Sequence, residues 1–311
     1  MLPHNRPFDG ALKKLIVCVF WALLPGAALA TPEKTAIVDK IKAIEAKTQG
    51  RLGVFAINTA NGHVIAYRAN EVFPTGCTAK TMGVAAVLHQ SMQSPDLLAQ
   101  VVQYTKEDCT QSGYAPITAK HLSCGMTVEA LCSAAISHSD NAAMNLLLPF
   151  IGGVKGITHF ARAIGDHSFR QDHDWPREAY SGGKGNVHDA STPRAMVQSF
   201  QKITLGQVLG KPQKEQLTLW LLNTQTGAAR IRAGLPKGWV MGHKTGTGGA
   251  YGTTNDLAIL WPPQHAPLLL GLYYTTNDKK ATLQEDTLAA ATRAIVAAFS
   301  AKDPSLHQPQ V

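Results

Sequence analysis

Phe73-Pro74-Thr75-Gly76-Cys77-Thr78-Ala79-Lys80 sets a thiol and an ammonium three residues apart, just ahead of the apolar run Thr81 to Met92. At the start of a helix that spacing lets both side chains project from one face. The positive helix end and the adjacent cation both favour a thiolate, because a free thiol ionises near about pH 8.5 and positive surroundings lower that value. A neutral Lys80 would instead act as the base for Cys77. On either reading Cys77 is a candidate nucleophile.

Two more short motifs follow in order. Ser139-Asp140-Asn141 opens another helix and supplies a hydroxyl for proton relay and an amide for gripping a substrate amide. Lys244-Thr245-Gly246-Thr247-Gly248 ends a strand and offers a cation, two hydroxyls and permissive glycines that let a substrate lie against the backbone. Backbone N–H groups of Cys77 and Thr247 would then form an oxyanion hole. Each motif alone is weak, whereas three in this order are specific.

Around these motifs the chain alternates in character. Ile37, Ile41 and Ile44 recur at helical spacing until Gly50. Leu52 to Asn58 and Val64 to Arg68 flank Thr59-Ala60-Asn61-Gly62, a hairpin signal. From Lys80 to about Trp220 the pattern is helices and long loops, with helices expected over Val128 to Ala135, Ala142 to Phe150, Ile157 to Ile164 and Thr192 to Ile203. Strands return at Val240 to Lys244, Asp256 to Trp261 and Leu268 to Thr275, before an Ala-rich helix from about Thr282 to Ala301. Helix, strands, helices, strands, helix predicts an α/β sheet domain (31–76 plus 221–303) split by an all-α insertion (77–220), with a tail at 304–311 and a cleft between the parts.

The 311 residues are 45% hydrophobic and 16% charged, a globular composition. Arg6, Lys13 and Lys14 precede the apolar run Leu15 to Leu24 and the small residues Ala28 and Ala30, so residues 1–30 read as a secretory signal and the mature protein as periplasmic or secreted. Its removal takes away three basic residues and one acidic, lowering the formal charge from +8 to +6. No Lys/Arg stripe interleaved with aromatics points to nucleic acid, and no later apolar stretch is long enough for a membrane span. A soluble monomer acting on a small molecule is expected. Of the exported cysteines, Cys109 and Cys124 would close the shortest sensible disulfide loop outside the motif, worth roughly 3 kcal/mol; the alternative is that Cys109, Cys124 and Cys132 are small buried residues.

With Cys read as the counterpart of Ser, the three motifs resemble those of class A β-lactamases. The resemblance extends to Tyr114-Ala115-Pro116, to Gly125 through Ala135, to Gly234-Leu235-Pro236 and to Tyr251 through Asp256. It implies an α+β fold of the β-lactamase/transpeptidase type, a five-stranded antiparallel sheet flanked by the first and last helices beside the all-α part, and no cofactor. Ser139 would relay a proton to the leaving nitrogen and Asn141 contact the substrate amide. Lys244, Thr245, Gly246 and Thr247 would bind the substrate carboxylate. Arg230 stands where some members keep an arginine supporting that carboxylate, a surface guanidinium being the alternative, and Tyr114 would wall the cleft.

The sequence departs from the family in three places. Acylation of Cys77 would give a thioester. In the omega loop the family presents Trp-Glu-Pro-Glu-Leu-Asn, its first Glu activating the deacylating water, where this chain has Asp174-Trp175-Pro176-Arg177-Glu178-Ala179-Tyr180. Anchored on Trp175 or on Pro176, the stretch has no carboxylate at the deacylating place. Glu178 would substitute only if the backbone shifted by a residue, and burial statistics favour a solvated surface carboxylate. Asp189 and Pro193 preserve the loop's far end. His243 precedes Lys244 where the family often has an acid, and either repels that lysine when protonated or packs as a neutral ring. No histidine has metal-ligand spacing.

Two kinds of function fit this reading. One is an exported cysteine acyl-enzyme that opens β-lactams or related acyl compounds and either hydrolyses the thioester or passes the acyl group to another acceptor. The other is a sensor that keeps the pocket to bind a β-lactam or peptidoglycan-like ligand without catalysis.

Overall fold

The computed structural model describes residues 32–307, so the expected signal at 1–30 lies outside the described residues. Helix α1 (Pro32–Glu45) leads into β1 (Arg51–Asn58) and β2 (Val64–Tyr67), paired in the register Val54↔Tyr67 to Ile57↔Val64. Gly62 in their connection has φ of 72°, the left-handed region that the Asn-Gly signal anticipates. Strands β3 (Val240–Thr247), β4 (Thr254–Trp261) and β5 (Leu268–Thr275) complete an antiparallel sheet in the order β2-β1-β5-β4-β3. The expected five-stranded sheet is therefore present.

Both faces of this sheet are covered. Leu52, Val54 and Ala56 of β1 join Leu270 and Leu272 of β5 in a core with Ile41 of α1 and with Leu288, Ile295 and Phe299 of α9 (Glu285–Lys302). The alternate residues Phe55, Ile57, Leu269 and Tyr273 enter a second core with helices from the middle of the chain. Burial on both faces explains why β5 reads Leu-Leu-Leu-Gly-Leu-Tyr-Tyr-Thr without polar alternation. A Cβ at Gly271 would stand 2.6 Å from Val197 Cγ2, so helix α7 (Pro193–Thr204) sits directly on the sheet at this point.

The middle of the chain supplies α2 (Lys80–Ser91), α3 (Lys106–Gln111), α4 (Val128–Ser137), α5 (Asn141–Leu147), α6 (Val154–Ala163), α7 (Pro193–Thr204) and α8 (Lys211–Leu222). α2 is buried almost all round, which its run of Val, Ala, Leu and Met permits. Thr127, Asp140 and Thr192 cap α4, α5 and α7 through their side chains. The turn Gly76–Ala79 that leads into α2 has neither a side-chain cap nor an acidic residue, so its positive end is left to whatever Cys77 becomes.

Asp140 joins the cap of α5 to the cleft wall. It has no exposed surface, and its carboxylate accepts from Ala143 N, Ile117 N and Thr118 N, each at 2.9 Å. Asp140→Ala strands those donors in the interior and is expected to cost about 3 kcal/mol in urea unfolding. Asp140→Asn, whose amide oxygen still caps α5, is expected to cost less.

Candidate active site

Cys77 is placed by contacts from three directions. Phe73-Pro74 pairs with Ala190-Ser191, and Thr75 donates through N and Oγ1 to Asp189 O, both at 2.9 Å. Asn255 Nδ2 of β4 donates to the carbonyls of Pro74 and Thr75 at 2.8 and 3.0 Å. Gly76 has φ of 51°, and a Cβ there would lie 3.3 Å from Thr247 N at the end of β3. That close approach requires glycine and brings the backbone N–H groups of Cys77 and Thr247 to the same corner.

The two lysines lie beneath the thiol without exposure. Lys80 Nζ donates to Ser139 O at 2.7 Å and Asn141 Oδ1 at 2.6 Å. Lys244 Nζ donates to Ser139 Oγ at 2.8 Å and Thr245 O at 3.0 Å. Ser139 serves both because it turns the chain between α4 and α5 with φ of 57°. Burial pushes Lys244 down to about 7, with Lys80 and Arg230 adding to the fall and Cys77 opposing it. For Cys77 burial resists ionisation, but the charges of Lys80 and Lys244 outweigh it and bring the thiol down to about 7.

The structure corrects the expectation for the omega loop. Glu178 is not a surface carboxylate: it is 2% exposed, and its Oε1 lies 3.5 Å from Cys77 Sγ. A 3₁₀ turn over Arg177–Tyr180 turns it inward while Arg177 and Tyr180 face solvent. Ala179 O ties that turn to the β3–β4 connection by accepting from Gly249 N at 2.8 Å. The carboxyl that reaches the thiol thus follows the loop proline by two residues instead of preceding it. A matched-position comparison passes over it; the sequence signal was a lone acid within the Trp-Pro turn. Burial pushes Glu178 well above the usual carboxylate range, negative charge on Cys77 adds to the push, and Lys80 opposes it. The loop's far end is closed by Asp189, which accepts from the N–H groups of Asp172 and His173 at 2.8 and 2.9 Å and from His173 Nδ1 at 2.6 Å.

The remaining predicted residues line the same corner or support it. Arg230 is no surface guanidinium: it is 4% exposed, bonds Glu285 at 2.8 Å and donates to Thr247 Oγ1 at 2.7 Å and Gly246 O at 3.0 Å. Thr245 Oγ1 pairs with Thr226 Oγ1 at 2.7 Å, a partner that sequence reading missed. Tyr114 is exposed, and its carbonyl accepts from Asn141 N at 2.7 Å. His243 is buried with Nδ1 2.8 Å from Asp256 Oδ1, so its partner is this carboxylate on β4. Cys109 and Cys124 are not joined: Cys109 is buried on α3, while Cys124 is exposed with its sulfur against His121.

A thiol held near neutral ionisation, two buried lysines, a hydroxyl bridging them and a buried carboxyl form a set suited to acyl transfer. Known proteins have the same frame. Residues 36–299 match the model described as "Beta-lactamase enzyme family". β-Lactamase CTX-M-97 of Escherichia coli is 43% identical over 285 residues, covering 92% of this chain and 97% of that protein. A β-lactamase of Proteus vulgaris is 42% identical over 264 residues, covering 85% and 96%. The crystal structure of the β-lactamase from Desulfarculus baarsii DSM 2075 superposes with a TM-score of 0.82 at 45% identity, over 84% of this chain and 96% of that one.

The raised Glu178 has a consequence for stability. The folded protein holds this proton more tightly than the unfolded chain, so the associated stability is complete below the ordinary glutamate range and lost as pH rises through the folded value. Glu178→Gln has no such proton to lose. It is expected to unfold at higher urea than the wild type, by about 1 kcal/mol near about pH 8, with the gap closing toward about pH 5.

Proposed function

Because the chain belongs to the class A β-lactamase family, we propose that it is an exported β-lactamase-like enzyme whose Cys77 opens β-lactams as a thioester and whose Glu178 directs hydrolytic release. The observation that carries this reading is the 3.5 Å approach of Glu178 Oε1 to Cys77 Sγ above the buried Lys80.

The Cys77 thiolate attacks the ring carbonyl, whose developing oxyanion is held by the backbone N–H groups of Cys77 and Thr247. Ser139 Oγ, bonded to Lys244 Nζ, hands its proton to the departing ring nitrogen and recovers one from that lysine. The substrate carboxylate lies against Thr245 and Thr247, with Arg230 fixing the Thr247 hydroxyl and Lys244 contributing charge. Asn141 and Tyr114 face the substrate's side-chain amide.

Acylation then changes Glu178. Burial still resists ionisation of Glu178, but once sulfur is in a thioester the negative charge that added to that push is gone, while Lys80 still favours the carboxylate. Glu178 gives up its proton to solvent, from which Lys244 recovers the one it spent, and the Glu178 carboxylate takes a proton from water as hydroxide adds to the thioester carbonyl and the thiolate leaves. A small-molecule β-lactam is the expected partner, as the relatives' names indicate for those proteins. No helix among the described residues is long and apolar enough to cross a membrane, and the export assignment rests on the signal pattern in residues 1–30.

Intact-protein mass spectrometry with a penicillin and a cephalosporin tests this reading. Wild type should show a transient adduct and ring-opened product, Cys77→Ala no adduct, and Glu178→Gln a lasting adduct with turnover reduced about 10²- to 10⁴-fold. A lasting adduct on the wild type would make the protein a trap or sensor, and an amide formed with an added amine in preference to the acid would make it an acyltransferase. Unaltered hydrolysis by Glu178→Gln would remove Glu178 from the mechanism.

A further inference from the structure

Trp175 occupies the stretch that the family resemblance reserves for the deacylating carboxylate, and its surroundings assign it other work. It is 1% exposed, and Asn145 grips its main chain from both sides, Nδ2 donating to Trp175 O at 2.6 Å and Oδ1 accepting from Trp175 N at 3.1 Å. The clamped ring presents itself to Lys80, whose Nζ lies 5.4 Å from a ring centroid. Its indole Nε1–H is buried without a partner. An orphaned donor is a cost that a phenyl or aliphatic residue would avoid. What tryptophan offers in return is the most electron-rich ring face among the side chains.

Lys80 needs such a neighbour. It has no exposure, and its two hydrogen-bond acceptors, Ser139 O and Asn141 Oδ1, are neutral dipoles. Interior positive charge answered by dipoles alone is costly. A carboxylate at the place of Trp175 would answer it but would also neutralise the cation and compete with sulfur for it. An aromatic face stabilises the ammonium without cancelling its charge, which remains directed at Cys77.

We propose that Trp175 is a positioning residue whose ring holds the amine end of Lys80 beneath Cys77 by a cation–π contact, so that the sulfur is readied for attack without a separate base. Attack and release are then served by separate residues of the omega loop, Trp175 for attack and Glu178 for release. This inference rests on Cys77 as the nucleophile.

The test is the pH titration of thiolate absorbance and of Cys77 alkylation by iodoacetamide, with Cys77→Ala subtracted to isolate that sulfur. Trp175→Phe should move the midpoint upward slightly and Trp175→Leu by about one unit, with alkylation near neutrality falling about tenfold. Replacing the tryptophans biosynthetically by fluorotryptophans of rising fluorine content keeps the shape of the fold, covers the case in which Trp175→Leu does not fold, and should raise the midpoint stepwise with fluorination. A midpoint unmoved by fluorination but raised by Lys80→Met would overturn the role of Trp175 while leaving Cys77 as the nucleophile. A titration that survives in Cys77→Ala would remove that nucleophile and the inference with it.

Discussion

Two lysine side chains with no exposure converge under one sulfur, and neither is paired with a carboxylate by direct hydrogen bond. Positive charge in a protein interior is tolerated only where dipoles or anions answer it. The answers here come from every part of the fold: the carbonyl and hydroxyl of Ser139, the amide oxygen of Asn141, the carbonyl of Thr245, the ring of Trp175 and the ionisable pair Cys77 and Glu178. The uncapped turn before α2 adds a further positive field at the sulfur. The eased ionisation of Cys77 and the suppressed ionisation of Glu178 belong to this one arrangement: burial holds Glu178 back, and negative charge on the sulfur that meets the lysines adds to the effect.

The exchange of serine for cysteine and the rebuilding of the omega loop therefore belong together. A serine hydroxyl needs a base to attack at neutral pH, whereas a thiol held near 7 between cations does not. With attack relieved of that need, the loop can place an aromatic ring by Lys80 and carry its carboxylate two residues past the proline. On the proposed mechanism release is gated by chemistry: Glu178 stays an acid while sulfur is charged and becomes a base once sulfur is acylated.

Much of this was legible in the sequence because the strands and the three motifs are local patterns. β1 and β5 are apolar runs bounded by turns, and Cys77-x-x-Lys80, Ser139-Asp140-Asn141 and Lys244-Thr245-Gly246 each report a short piece of backbone. What escaped depends on how distant segments meet. Glu178 reads as a surface acid because its inward turn is fixed by Asp174 O and by the bond from Gly249 N to Ala179 O. Arg230 keeps a surface guanidinium as its alternative reading until Glu285, 55 positions along the chain, is seen against it. The Cys109–Cys124 bridge is plausible by loop length alone, but α3 turns one sulfur into the core while the other stays outside. Helices α3 and α8 went unread because one is only six residues long and the other begins Lys-Pro after a Gly-rich stretch.

On the proposed mechanism, acylation of Cys77 converts Glu178 from an acid into a base. Isotope-edited infrared difference spectroscopy on glutamate-labelled enzyme at neutral pH, with Glu178→Gln subtracted to assign the band, observes that conversion directly. A protonated carboxyl stretch that is present in the free enzyme and disappears as the acyl-enzyme forms is the predicted result. A carboxylate already ionised in the free enzyme, or an acid band that persists through the acyl-enzyme, would contradict it.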